Sequence, residues 1–518
     1  MKNYVVFVFV LAIIFINETQ TSEILVVAPM PSYSHFSIPF KLSKELAKRG
    51  HKVTCINPYP QKAPIKNYVD ISVTENIEVM EEIRKQLFDM NKFGVIENLT
   101  FIFDMIKLLV DRTMTNKNVQ DLLKSDKKFD VVIIEDFLNE AMFGLGYHYK
   151  APVILISATT TSDMSNYIFA NPAPASYVPG MGGTLTKCMN FWQRIENVLT
   201  KSVFYGLLHL YHLPQQRELF HKYISNDTDL DSIIYNTSLM LTNSHVSVSD
   251  AVPHVPSIIE IGGFHVNPPK KLPEDLQKFL DNATEGFILF SMGSNLKSDD
   301  LKPEVRDGIL KAFSKIKEKV LWKFENDLPN LPSNVKIMKW IPQQDVLAHP
   351  NIRAFISHGG FLSTVEAVYH GVPIVGIPVF GDQKYNIATA EQDGYAIGIQ
   401  LNDLSEETLT RALNEVLINQ KYRNVVKQRS TLMHDRPMTP VETAIYWVEH
   451  VIRHKGAPHL KSSGVDLKWY QREMIDVVVF LILVVSLILI TILVIVKKLL
   501  QFVFSKSKKN VSNKKKSQ

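Results

Sequence analysis

The stretch FISHGGFLSTVEAVYHGVPIVGIPVFGDQ, residues 355–383, runs as a strand, a glycine-marked turn, a one-sided helix closed by Gly371 and a second strand ending on a carboxylate beside an amide. Its loop Ser357-His358-Gly359-Gly360 falls at the start of the helix. Unpaired N–H groups and the positive end of the helix dipole favour an anion there, typically a phosphate, and glycines let the backbone approach it. Neither Gly-x-Gly-x-x-Gly nor Gly-x-x-x-x-Gly-Lys-Ser/Thr surrounds this loop, so the dinucleotide and P-loop readings lack their residues. Upstream, Trp340 of WIPQ offers an indole face for a planar base. Glu366, eight residues after His358, is spaced to accept hydrogen bonds from a ribose, and Asp382 with Gln383 supplies acceptors and donors suited to sugar hydroxyls. Singly, Trp340 suits a core, Gly359-Gly360 a plain turn and Asp382 a strand end. Jointly they provide for base, ribose, phosphates and sugar, and they imply a nucleotide sugar.

The elements that must position these residues read as two α/β halves. EILVVAPMPSYSHFSIPFKLSKELAKRGHKVTCINP gives a strand at residues 24–27, a loop through His35, an amphipathic helix ending at Gly50 and a strand at 52–56. This βαβ unit implies a doubly wound sheet. FDVVIIEDF (129–137) and APVILISA (151–158) add near-continuous apolar runs of the kind found in strands covered on both faces. An aromatic-rich segment at 191–224 contains Trp192, Phe204, Tyr205, Tyr211 and Phe220 and reads as helical core, with an acceptor pocket or a membrane-surface contact as alternatives. Proline and charge concentrate at 264–283, the expected boundary between a first domain (23–270) and a second (284–440). The second opens with FILFSMGS, a helix near 301–318 and KVLWKF. Two such halves imply a cleft between them, where ligands preferentially bind.

The 518 residues, 46% of them hydrophobic, suffice for two or three domains. Lys2, the apolar run 5–16 and small polar residues to Ser22 fit a cleavable secretory leader, residues 1–22. Residues 477–496, with Ser486 and Thr491 as their only polar members, are long enough to cross a bilayer. The tail 497–518 carries eight lysines and no acid, which orients it to the cytosol and the body to the lumen or exterior. Lys515 and Lys516 also fit a dilysine endoplasmic reticulum retrieval signal, so a single-pass type I protein of that membrane is expected. The tail lysines outweigh the net charge of +5 and Lys2 cancels Glu18, leaving about −3 on residues 23–496. Nucleic acid is therefore not an expected partner. Cys55, read as following a strand, and Cys188, read in a loop, exclude a disulfide framework but allow one bridge. Asn98, Asn226, Asn236 and Asn282 open glycosylation sequons, of which some but not all are expected to carry glycan. The histidines, His349 and His370 included, lack metal-ligand spacing, and no metal is expected.

The segment WIPQQDVLAHP...FISHGGFLSTVEAVYHGVPIVGIPVFGDQ resembles the donor-binding signature of the UDP-glycosyltransferases, in particular the animal membrane-bound type. The similarity extends over nearly the whole chain, through SMGS, a late HKGAPHL segment, one membrane span and the lysine tail. It implies a GT-B type α/β fold, in which two Rossmann-like doubly wound domains face each other, with acceptor on the first and UDP-sugar on the second, and a return helix segment (441–473) before a C-terminal transmembrane helix. It also implies the uracil on Trp340 with Gln343 beside it, the ribose on Glu366, and the sugar on Asp382 and Gln383. The diphosphate then falls to Ser291, Ser294, His358 and the turn from Gly360 to Ser363. Leu362 departs from plant relatives, which often have asparagine there.

The same resemblance supports His35, after the first strand, as general base for an acceptor hydroxyl. A carboxylate at the end of the strand 131–134 should orient it. Counting forward from Asp130 favours Glu135 and counting back from Pro152 favours Asp136; Asp136 is preferred, with Glu135 kept as the alternative. The expected reaction is inverting transfer of a hexose to a small lipophilic acceptor, with UDP-glucose favoured over UDP-glucuronate. No cofactor is expected, since the UDP-sugar is a co-substrate, and homo-oligomer formation is left open. The rivals are a non-catalytic lipophile-binding protein that keeps the fold, and a processive synthase, for which one span is too few.

Overall fold

The computed structural model describes residues 21–87, 93–181, 183–294 and 296–515. Most of the expected leader (1–20) and Lys516 lie outside these residues. The chain divides into two compact units, Met1–Ser462 and Ser463–Gln518.

In the first unit, strands β1 (Glu23–Val27), β2 (Lys52–Asn57), β3 (Tyr68–Ser72), β4 (Val131–Glu135), β5 (Val153–Ser157), β6 (Leu239–Thr242) and β7 (Ile258–Glu260) form one sheet in the order β3-β2-β1-β4-β5-β6-β7. A second sheet orders β8 (Phe287–Ser291), β9 (Lys319–Lys323), β10 (Val335–Met338), β11 (Ile352–Ser357), β12 (Ile374–Gly376) and β13 (Ala396–Gly398) as β10-β9-β8-β11-β12-β13. Every pairing is parallel. The apolar runs that read as doubly covered strands are so: β4, β5 and β8 are buried throughout because helices cover both faces.

Each sheet starts at its middle, winds one way and then returns to the other side. The reversals fall between β1 and β4 and between β8 and β11. Crevices at the carboxyl ends of strands form at such switch points. Both sets of chemistry-bearing residues sit there: His35 follows β1 and Glu135 ends β4, while Ser291 ends β8 and Ser357 ends β11.

Two elements depart from the sequence reading. His35 lies not on a loop but in the first turn of the helix Tyr33–Lys48, which Ser32 caps. Its burial of Ile38, Leu42 and Leu46 against the sheet and of Phe36 against Tyr59 extends helical packing back to that turn. Within the boundary segment, Glu274–Asp281 is a helix whose Leu276 and Leu280 share a core cluster with Phe287, Leu289 and Phe355, so this segment packs with the second sheet. The helix Pro440–Arg453 crosses back, burying Ala444, Ile445, Val448 and Val451 among Ile24, Val26 and Val131 of the first sheet. Thr439 caps it by accepting from the Glu442 N–H.

Cys55 sits inside β2 rather than after it, and both cysteines are free, Cys55 buried and Cys188 exposed. In the aromatic segment, Phe204 and Phe220 are core as expected, whereas Trp192 is 74% exposed. The second unit is dominated by the helix Ile475–Lys515, of which Ile475–Lys506 is long and apolar enough to cross a membrane.

Candidate active site

The donor side is built from two adjacent strand ends with the same design. Ser291 on β8 and Ser357 on β11 are register partners. Each hydroxyl accepts from the amide two residues on, Gly293 N–H and Gly359 N–H, both at 3.2 Å. Each turn needs its glycine: φ is +83° at Gly293 and +81° at Gly359, and an added Cβ would lie 2.5 Å from His358 Cε1 and from Ile387 Cγ1 respectively. Gly360 then caps the helix Phe361–Tyr369, and a Cβ there would lie 2.5 Å from His358 Nε2. Two glycine turns thus close on one imidazole beside a helix N-terminus whose N–H groups are free for an anion. Burial, and secondarily the charge of Lys323, push the His358 pKa down to about 4. His358 is therefore neutral at physiological pH and carries an N–H rather than a charge.

Around this turn, Trp340 is 64% exposed just past β10. Gln343 Nε2 donates to Ser363 Oγ at 3.0 Å and to Glu366 Oε2 at 2.7 Å. Gln344, which the sequence reading passed over, donates to Glu366 Oε1 at 2.8 Å. Burial raises the Glu366 pKa and the two amides partly offset it. Buried His265, also missed, donates its Nε2–H to Leu362 O at 3.1 Å and holds the linker against the same helix. A Gln-Gln pair before a helix carries a local signal for Gln344; His265 carries none.

At the sugar end, Asp382 caps the helix Gln383–Gln392, and its Oδ2 accepts from Asn386 Nδ2 at 2.7 Å. Gln383 is buried, with Oε1 accepting from the Val379 and Phe380 amides at 2.9 and 3.1 Å, which leaves its Nε2 to donate elsewhere. Ser294 is exposed just beyond the Gly293 turn.

On the opposing lobe, His35 Nδ1 lies 2.7 Å from Glu135 Oε1, and its ring meets Phe137 edge-on at 4.5 Å between centroids. The preference for Asp136 as the partner is corrected. Strand alternation is the reason: Val131 and Ile133 pack with Ile38 and Leu42 of the His35 helix, so Glu135 shares that face. Val132 and Ile134 face the other side with Phe103, Phe204 and Phe220, and Asp136 follows them. Burial opposes a charge on His35, but the Glu135 hydrogen bond and the charges of Glu135, Asp382 and Asp136 outweigh it and raise the pKa above 6.5. A neutral His35 whose Nδ1–H donates to Glu135 presents a basic Nε2. Asp382 of the second sheet's lobe is among the charges that act on this imidazole, and His35 acts on Asp382 in turn, so the two side chains lie within electrostatic reach of one another.

The sequons differ in setting. Asn226 and Asn282 are exposed, exposed Asn236 accepts from Lys461 Nζ at 2.7 Å, and partly buried Asn98 uses its amide to donate to Phe93 O at 3.1 Å.

Comparison with known proteins identifies the family. The family described as "UDP-glucoronosyl and UDP-glucosyl transferase" matches residues 23–516. The chain belongs to the UDP-glycosyltransferase family. UDP-glucosyltransferase 2 of Dactylopius coccus is 35% identical to this glycosyltransferase over 504 residues, covering 96% of each chain. UDP-glucuronosyltransferase 2B15 of Homo sapiens is 31% identical over 510 residues, covering 93% of this chain and 94% of its own. Among solved structures, the calicheamicin glycosyltransferase CalG4 aligns at a TM-score of 0.56 and 16% identity, covering 84% of this chain and 100% of its own. The glycosyltransferase VinC, solved with DTDP, gives 0.55 and 15%, covering 83% and 100%. These place the fold of the transferase in the GT-B class, as the two parallel sheets require.

Proposed function

We propose that this UDP-glycosyltransferase moves a hexose, with inversion, from UDP-glucose to a hydroxyl of a small lipophilic acceptor, with His35 as general base and Glu135 as its partner. The observation that carries the reading is the 2.7 Å His35–Glu135 contact directed at the Asp382 end of the donor cradle. His35 Nε2 takes the acceptor's proton, and the freed oxygen pair bonds to the anomeric carbon from the face opposite UDP. The bond from that carbon to the diphosphate oxygen breaks, and UDP keeps the electron pair. Glu135 stabilises the imidazolium. The developing diphosphate charge meets the amides at the start of the Phe361–Tyr369 helix and the N–H of His358.

Glucose is favoured because a relative whose name specifies UDP-glucose transfer matches over 96% of the chain. UDP-glucuronate is the second reading, supported by the glucuronosyltransferases at 30–32% identity. The apolar helix Ile475–Lys506 and the lysines after it support a single-pass type I protein of the endoplasmic reticulum membrane with both lobes lumenal. The deciding experiment is a screen of UDP-glucose and UDP-glucuronate against phenols and alcohols, reading UDP release, with His35→Ala alongside. UDP-glucose turnover abolished by His35→Ala is expected; turnover with UDP-glucuronate alone would reverse the donor assignment, and undiminished activity of the variant would remove the base.

A further inference from the structure

The helix that carries His35 and the carboxylate expected to take the ribose are joined by a series of hydrogen bonds that the transfer chemistry leaves unused. Lys41 shares the helix Tyr33–Lys48 with His35. Both hydrogen bonds of its ammonium among the described residues reach the segment between the two sheets, at Val266 O and Asn267 Oδ1, each at 2.9 Å. The same ammonium lies 5.5 Å from the centre of the Phe264 ring, a cation–π contact. Asn267 donates onward to Gln344 Oε1, from its main-chain N–H at 3.1 Å and from Nδ2 at 3.3 Å. Gln344 Nε2 donates in turn to Glu366 Oε1 at 2.8 Å.

The direction of this series is fixed by its ends. An ammonium only donates and a carboxylate only accepts, so each amide between them must turn its oxygen toward Lys41 and its NH₂ toward Glu366. The N–H groups then all point from cation to anion, and in such a chain each hydrogen bond polarises and strengthens the next. Glu366 is buried, and Gln343 Nε2 occupies its other oxygen at 2.7 Å. Each carboxylate oxygen has two lone pairs, so one on each stays open, and together they match the two neighbouring hydroxyls of a ribose. A separate contact ties the lobes without this series. His265 Nε2–H donates to Leu362 O at 3.1 Å, and its Nδ1 accepts from Nδ2 of Asn243, just past β6, at 3.4 Å.

We propose that Lys41, Asn267 and Gln344 are positioning residues for the transfer: they fix the Glu366 carboxylate relative to the His35 helix, so that a donor seated by its ribose is presented to the base. This rests on the reading of His35 as base and of Glu366 as the ribose acceptor. Gln344 touches Glu366 itself, so its loss should cost both UDP affinity and turnover. Lys41 acts only through Asn267 and Gln344, so its loss should cost turnover alone. The His265 contact stays in place in either case and keeps the lobes joined.

The test uses the full-length protein in detergent, with kcat for transfer to a phenol from the donor that the screen selects, and the UDP Kd from calorimetry. Lys41→Met should lower kcat about three- to tenfold, the effect of one lost hydrogen bond, with the UDP Kd unchanged within about twofold. Lys41→Arg, which keeps a cationic donor, should recover most of that loss. Asn267→Ala breaks the same series at an exposed residue and should repeat the Lys41→Met result, whatever Lys41→Met does to the fold. Gln344→Leu should lower kcat and weaken UDP binding together. Residues that act as one series are not additive, so the double variant Lys41→Met/Gln344→Leu should have the kcat of Gln344→Leu alone within about twofold. The proposal is overturned if the two kcat losses multiply, if Asn267→Ala leaves kcat unchanged, or if it weakens UDP as deeply as Gln344→Leu. Undiminished UDP affinity in Glu366→Gln would instead sink the ribose reading, and a fully active His35→Ala the reading of the base.

Discussion

At the residue scale, the proposed base pair His35–Glu135 predicts a pH-dependent activity with a definite sign. The base must be neutral, and its folded pKa lies above 6.5, so kcat rises as pH climbs through that raised value and levels off beyond it. Glu135→Gln removes both the ionic hydrogen bond and a negative charge. The acidic limb of the kcat profile should then move to lower pH while kcat falls by about 10²–10⁴-fold. A fall without movement of the limb would assign Glu135 a packing role instead. His358 gives the contrasting case. With a pKa near 4 it stays neutral, so UDP affinity measured by calorimetry should be level between pH 5.5 and 8 where His358 is concerned. His358→Gln, which keeps an N–H donor, should retain more affinity than His358→Ala.

At the scale of elements, the donor cradle depends on two turns that only glycine adopts without strain. Gly359→Ala must hold a left-handed residue at a cost of about 1–2 kcal/mol, and its Cβ must displace Ile387, which packs against the turn from the sugar-end helix. The expected outcome is at least a tenfold loss of UDP affinity with the melting temperature lowered by only a few degrees, checked by calorimetry and thermal unfolding. This cradle was legible in the sequence because it is local. A helix start, a positive-φ glycine and a serine two residues before it are all set by neighbours in the chain. The first turn of the Tyr33–Lys48 helix was not legible, because Pro39 within it and the polar stretch through His35 argue for a loop, and only packing of Ile38 on the sheet and of Phe36 on Tyr59 carries the helix back to Tyr33.

For the whole molecule, the two lobes of Met1–Ser462 are joined by more than their linker. Lys187, on a first-lobe loop, reaches Asp393 of the second lobe at 2.7 Å and Asp250 at 3.0 Å, and Arg429 completes the group with Asp393 at 2.8 Å. Both acids are buried, so they depend on these cations. Lys187→Met should raise the KM for UDP-sugar several-fold while the Kd for UDP, set within the second lobe, stays within twofold. Equal losses of both would show that the clamp acts through the fold of the second lobe. Because Ser463–Gln518 is a separate compact unit, a chain ending at Ser462 should retain UDP affinity in detergent solution, measured by the same calorimetry.

The sequence by itself determined the doubly wound halves, the apolar span and the order along the second half of Trp340, Ser357-His358, Glu366 and Asp382-Gln383, the residues proposed for the donor. Each of these depends on composition, periodicity or spacing within a few tens of residues. Tertiary structure alone decided which acid serves His35. A strand's side chains alternate between faces, so a shift of one residue exchanges Glu135 for Asp136, and that phase is fixed by pairing with β1 and β5 rather than by anything within FDVVIIEDF. The same holds for the Lys187 clamp, for His265 behind the donor helix and for the series from Lys41 to Glu366. Their partners lie far apart in the chain, and the burial that gives these contacts their strength exists only once the sheets are covered.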